Sequence, residues 1–593
     1  MNSASKEVSS SLPLVKSLSK RPAGRDAAVL DIMSSVSITR ARRRTAAQQL
    51  ALKQVKRQIN ATDPHGRLKY LRDFTEAYLD YEKVLSGDEL QQHYRSADVL
   101  LVGDYHALAA SQNFAAQLIE KLANAGRPVL LALEMVFTRD QGVLDRWFCG
   151  EITEDELRSG IRYDDEWGYD WEPFARLLQT ARRHGCRAFG IDSGPRGSMR
   201  RIAARDRHAA AKISELREKF PNSIIVALFG EAHLAPNHLP RSVRQNRPQD
   251  RILTVVQNVD ELYWKAAGEQ TEALQAVQVR DDVLCVFNAS PLEKYESYRI
   301  YIERWRTNPS QPDLAPTFYN VVDSLLRSLG LEQYYPAAGH HPSTLTEEYP
   351  QVLNCLDADD FARLLSRRQL GRQERQQAFA KLRSNGCVYL SRHNLLLIER
   401  FHMAGAAEEA VRFVQSECRG VSSFQGPWIG SSAEHQFYFD VMEKALVTFG
   451  VRVLLPDYPV AREHELQALC AQPREVITEQ TGFTYNEFLG LAGAVILHKE
   501  AEKGRRWNLL PGVMSSAFSS TGKKRNFLVE HLGAMLGAEM HEAYLRGILS
   551  KSYLRSLFFR KTHLPGAAKR AYFEVARSVN HRCSQAELRS RVG

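Results

Sequence analysis

Two short stretches carry the chemical question, "GDYH" at residues 103–106 and "GEAH" at 230–233. In each, an apolar run leads into a glycine, an acid, one further residue and a histidine. Glycine permits a tight exit from a strand, and the acid and imidazole that follow can project into a crevice. One such motif is weak, but two in matching strand-end contexts point to a site containing His106 and His233. Glu134, at the exit of "PVLLALEMV", and Asp192, at the exit of "CRAFGIDSGP", are the acids that parallel strands would bring to the same edge. Neutral imidazoles ligate iron, zinc or manganese, and Glu134 or Asp192 could add oxygen ligands or orient metal-bound rings. The same groups suit hydrolysis, in which an imidazole and Glu134 move protons while a divalent metal lowers the pKa of a water. The plain alternative is that these groups only satisfy one another's buried hydrogen bonds.

Positioning such groups requires strands, and from residue 97 strand-like and helix-like stretches alternate. "ADVLLVGDYH", "PVLLALEMV", "CRAFGIDSGP", "SIIVALFG" and "RILTVVQNV" read as strands. "SQNFAAQLIEKLANAG", "WEPFARLLQTARRHG" and "RIAARDRHAAAKISELREKF" between them have helical periodicity. This alternation predicts an α/β domain over residues 95–274, a mainly parallel sheet with flanking helices and a ligand crevice at its carboxyl edge. Ahead of it, residues 1–28 read as a flexible terminus and 29–94 as a basic helical extension. The basic face of "ITRARRRTAAQQLALKQVKRQIN" suits an anionic membrane surface or RNA, with packing on a neighbouring element the preferred reading. Residues 275–425 and 426–593 read as mainly helical, "HNLLLIERFHMAGAAEEAVRFVQSE" included. The breaks fall near "YYPAAGHHPSTLTEEYP" or "FQGPWIGSSAEH".

At 593 residues the chain exceeds one simple core, and 44% hydrophobic with 25% charged residues is the composition of a folded protein. A net charge of +10 attracts anionic partners, but no nucleic-acid reading module accompanies it, so nucleic acid is not an expected partner. The expected partners are a small-molecule ligand and, through the helical regions, a protein or a second copy. Eight cysteines without a CxxC pair suit reduced thiols. The first residues lack a sustained apolar core, and no stretch of about 20 apolar residues follows, so no transmembrane segment and a cytoplasmic location are expected. His340 with His341, and His531 with His541, define no coordination geometry, and "TGKKRNF" lacks the upstream glycines of a phosphate loop.

In order along the chain, "LVGDYH", "LALEMVFTRDQGVLDRWFCGEITEDEL", "WGYDWEPFARLLQTARRHGCRAFGIDSGP", "RDRHAAAKI" and "ALFGEAH" resemble the ChaN-like haem-binding uptake family. That family groups with the Tiki, TraB/PrgY and erythromycin-esterase-like superfamily. The resemblance covers about residues 95–260 and implies the same parallel-sheet α/β domain. It implies a haem- or iron-binding protein first, a metal-dependent peptidase- or esterase-like hydrolase second, and a non-catalytic partner-binding scaffold third. It carries the paired histidine positions onto His106 and His233, the acid after the second strand onto Glu134, and the helix arginine onto Arg205, with Asp206 beside it. In the hydrolase reading His106, Glu134, Arg205 and His233 are catalytic, Arg205 stabilising oxyanion charge. The metal set is His106, Glu134, Asp192 and His233, with iron, zinc or manganese as the metal. In the haem reading His106, His233, Tyr105 and Tyr169 are the candidate ligands, since tyrosinate can serve as an axial ligand. Asp104 stands where the family more usually has glutamate, and the exported lipoproteins of the family have a signal and lipobox that this sequence lacks.

Overall fold

Strands of leucine, valine and isoleucine that are buried along their whole length must be covered on both faces, and such strands form the centre of this fold. The computed structural model describes residues 24–62, 69–194, 202–269, 274–306, 313–331, 349–354, 358–367, 370–420, 431–504, 514–515, 518 and 522–592. Eight strands make one sheet: β1 (Lys83–Leu85), β2 (Val99–Asp104), β3 (Val129–Phe137), β4 (Arg187–Asp192), β5 (Ile224–Gly230), β6 (Ile252–Gln257), β7 (Ala276–Arg280) and β8 (Val283–Val286). Their order is β1-β7-β8-β6-β2-β5-β3-β4. From β8 to β4 each neighbouring pair is parallel, whereas β7 runs antiparallel to both β8 and β1. The sheet thus continues past residue 274 through β7 and β8.

Alternate residues along each strand serve opposite layers. Leu100, Leu131 and Val226 face one core with Ile119 of α2 (Ala109–Asn124) and Leu178 of α3 (Trp171–Arg183). Leu101, Ala132 and Ala227 face the other with Ile213 of α4 (Ile202–Lys219) and Leu262 of α5 (Asp260–Glu269). The α/β domain is therefore a central sheet between helices, and the chain after it is mostly helical, as the sequence indicates.

One helical core gathers α6 (Pro291–Arg306), α7 (Ala315–Leu329), α8 (Met403–Arg419), α9 (Ala433–Leu454), α10 (Tyr485–Glu502), α11 (Gly522–Leu545) and α12 (Ala567–Val592). Val441, Leu446 and Phe449 of α9 share it with Leu532 and Leu536 of α11. A small sheet interrupts the helices: β9 (Gln351–Asn354) runs parallel to β11 (Leu395–Ile398), which forms a hairpin with β10 (Cys387–Leu390). "LLLI" is therefore a strand, and the helix expected from it begins only at Met403. A four-residue apolar run has no periodicity to separate strand from buried helix.

The long basic helix α1 (Gly24–Thr62) lies across both regions. Ala47, Ala51 and Val55 enter the helical core. Arg40 pairs with Glu542 at 2.7 Å, Arg44 with Asp457 at 2.5 Å, and Lys56 with Asp260 at 2.8 Å. These three cations meet acids of their own chain, in keeping with packing on a neighbouring element. Among the described residues no helix is long and apolar enough to cross a membrane. Residues 1–23, His340 with His341, and most of both expected breaks lie outside the described residues.

Candidate functional site

The parallel register brings the strand ends to one edge. Asp104, last in β2, pairs with Gly230, last in β5. Phe137 of β3 pairs with Asp192 of β4 after a register shift that begins at Leu133. Glu134 sits in that irregular stretch, and a bulge there re-aims the side chains of the strand end. Gly190 admits the bulge, since a Cβ on it would lie 2.8 Å from the carbonyl oxygens of both Val136 and Phe137.

Glu134 is the hub. Its Oε2 accepts the Gly230 backbone N–H at 2.5 Å and its Oε1 accepts from Arg205 Nη2 at 2.5 Å. Arg205, on α4, also donates to Asp192 through Nε at 2.8 Å and Nη2 at 2.9 Å. The two motif histidines point at the same carboxylate: His106 Nε2 lies 3.9 Å from Oε2 and His233 Nε2 lies 3.7 Å from Oε1. Behind them, His106 Nδ1 contacts Asp104 at 2.8 Å and His233 Nδ1 contacts Asp206 at 2.6 Å. Ionised carboxylates only accept, which assigns the proton of each neutral ring to Nδ1 and the lone pair to Nε2. Buried Gln112 donates to the other oxygen of Asp104 and fixes it in turn.

Burial alone would push the Glu134 carboxyl up, but the charge of a protonated His233, the Arg205 guanidinium, the charge of a protonated His106 and the Gly230 N–H together outweigh it and hold the carboxyl at about 2. Burial opposes the charge on Arg205 as well, and Glu134 with Asp192 reverses that and raises its pKa. The centre is therefore an ionised carboxylate bound to an arginine, with an imidazole on each side. Access to it is unequal, since the His106 side chain is 21% exposed against 4% for Glu134 and 8% for His233. The crevice opens at His106.

Aromatic side chains frame that opening. The His106 ring lies 4.4 Å from Trp167 and 5.1 Å from Tyr169, and Tyr301 stacks on Tyr169 at 4.3 Å. Tyr298 meets Tyr105 edge-on at 6.0 Å. Lys294 Nζ sits 4.7 Å above the Tyr105 ring and pairs with Glu231 of the second motif at 2.9 Å. Lys294, Tyr298 and Tyr301 were missed by sequence reasoning. Their spacing of four and three along α6, in "KYESYRIY", is one helical face and is the signal that could have found them.

His106, Glu134, Arg205, His233 and Asp192 thus join one network, with Asp192 reached through Arg205. The expected metal set of His106, Glu134, Asp192 and His233 is not a ligand cluster: among the described residues no group of three or more His, Cys, Asp or Glu is placed to hold a metal ion. Gly230 packs closely on this centre: a Cβ on it would meet His106 Nε2 at 3.1 Å and Glu134 Oε2 at 3.2 Å. Burial, helped by neighbouring phenols and acids, holds the Tyr105 and Tyr169 phenols well above their ordinary range.

No curated protein matches the chain. A solved chain described as "Cofacial heme binding to ChaN of Campylobacter jejuni" is 15% identical, with 31% of this chain and 90% of that chain covered and a TM-score of 0.24. Residues 90–282, from the helix before β2 to the turn between β7 and β8, match the family described as haem-binding uptake, Tiki superfamily, ChaN.

Proposed function

We propose that the chain is a hydrolase that activates water with two aspartate-held imidazoles around an ionised glutamate. The observation that carries this reading is the convergence of both Nε2 atoms on Glu134, at 3.9 and 3.7 Å, while Asp104 and Asp206 hold both Nδ1 atoms. Gaps of that length exceed a direct hydrogen bond and suit a bridging water. His106, nearer solvent, takes a proton from that water as it attacks a carbonyl carbon, and the imidazolium formed is stabilised by Asp104 and Glu134. As the tetrahedral intermediate collapses, His106 returns that proton to the leaving group, while the Nε2 lone pair of His233 orients the water beside Glu134. Arg205 is bound to Glu134 and Asp192, so it positions the carboxylate rather than meeting the oxyanion. The steps use only this chain's own side chains.

The experiment is a panel of ester and amide substrates offered to the chelator-dialysed full chain, beside His106→Gln and Glu134→Gln. Turnover lost by at least about 10²-fold in folded variants supports the reading. Turnover equal in wild type and both variants removes these residues from the chemistry. Haem binding is a second reading, favoured by the family match over residues 90–282. It expects a Soret band on titration with hemin that disappears in the His106 and Tyr169 variants.

A further inference from the structure

Helix α6 begins at Pro291, after the family match ends at residue 282. It nevertheless borders the site from one face: Lys294 reaches Glu231 and Tyr105, Tyr298 meets Tyr105, and Tyr301 stacks on Tyr169, which itself contacts His106. Tyr298 and Tyr301 lie nearly parallel to each other, at 6.2 Å and 26°, and Tyr301 lies nearly parallel to Tyr169, at 16°. Tyr105, Tyr169, Tyr298 and Tyr301 are all half-buried. His106 is the most exposed of His106, Glu134 and His233, so a substrate that reaches it comes up beside these rings. The charge of Lys294 there is matched by Glu231, so the described rim does not select for an ion.

We propose that Tyr169, Tyr298 and Tyr301 form a subsite for a flat, uncharged aryl ring next to the bond attacked at His106. This rests on the hydrolase reading and gives it a substrate class, aryl esters. The specificity is supplied by a helix outside the family segment, through offset ring stacking.

The test separates binding from turnover. Binding of 2-naphthol, the product alcohol of 2-naphthyl acetate, to the full chain is followed by calorimetry. Tyr301→Ala and Tyr301→Leu are each expected to weaken it roughly 3- to 10-fold, the range of a single ring pair. The leucine variant keeps apolar bulk, so a loss shared by both belongs to the ring and not to unfolding. In parallel, kcat/KM for 2-naphthyl acetate is expected to fall by the same factor while that for ethyl acetate changes less. If 2-naphthol binding falls in both variants but no ester is turned over, the subsite stands and the hydrolase reading fails. If wild type does not bind 2-naphthol, or all three proteins bind it equally, the subsite is overturned.

Discussion

Replacing Arg205 by methionine tests the electrostatic logic of the site. Arg205 is the cation between Glu134 and Asp192, and all three side chains are more than nine-tenths buried. Removing one partner of a buried ionic network costs about 3–5 kcal/mol, because the remaining charges stay out of water. The sign with pH follows from Glu134. Its carboxyl is held at about 2 against an ordinary 4.5, so it contributes stability above the ordinary value that is lost as pH falls from there through about 2. Without Arg205 the Glu134 carboxyl loses one of the groups that hold it down, so the variant keeps less of this stabilisation at neutral pH and differs less from wild type once acid protonates the carboxyl. Urea unfolding of wild type and variant, followed by tryptophan fluorescence, should show a gap of about 3–5 kcal/mol near pH 7.5 that narrows as the pH falls below the ordinary carboxyl value of 4.5. The double variant Arg205→Met/Asp192→Asn should recover part of the loss. A gap under about 1 kcal/mol, or one that does not change with pH, would refute the reasoning.

Gly230→Ala tests the packing of the hub. The backbone there, φ −48° and ψ 133°, accepts alanine, but the Cβ presses on His106 and Glu134. A stability loss of about 1–3 kcal/mol with a larger loss of turnover is expected from melting and rate measurements, and unchanged turnover would argue against the reading. Asp104→Asn frees His106 to adopt the other tautomer, so turnover should fall by about 10²–10⁴ with the fold retained by circular dichroism. Arg44→Ala removes the ion pair with Asp457 and should expose α1 to limited proteolysis at a cost of about 1–3 kcal/mol; a cleavage pattern like wild type would count against α1 as a clamp.

The strand-end logic was legible because each motif residue follows a fully buried apolar run, and the parallel register aligns Asp104 with Gly230. His106, Glu134, Asp192 and His233 were singled out from their strand-end positions, and Arg205 only through the family resemblance carried by "RDRHAAAKI". Their roles were not legible. That Arg205 faces two carboxylates, and that Asp206 backs His233, depends on which way α4 turns its side chains. The aromatic rim escaped notice because α6 lies past the recognisable alternation, and a Tyr-rich helix reads as core when its neighbours are unknown. β10 and β11 were lost for a different reason, since four-residue apolar strands carry too little periodicity to stand apart from flanking helices.

The central claim is that two imidazoles, each held at Nδ1 by an aspartate, present Nε2 to one ionised carboxylate. Nitrogen-15 spectra of histidine-labelled full chain, assigned by His106→Gln and His233→Gln, read this directly. The account predicts that the neutral rings of both residues carry their proton on Nδ1, and that Asp104→Asn and Asp206→Asn each abolish the preference at their own ring. Neutral rings with the proton on Nε2 in the wild-type chain would contradict it.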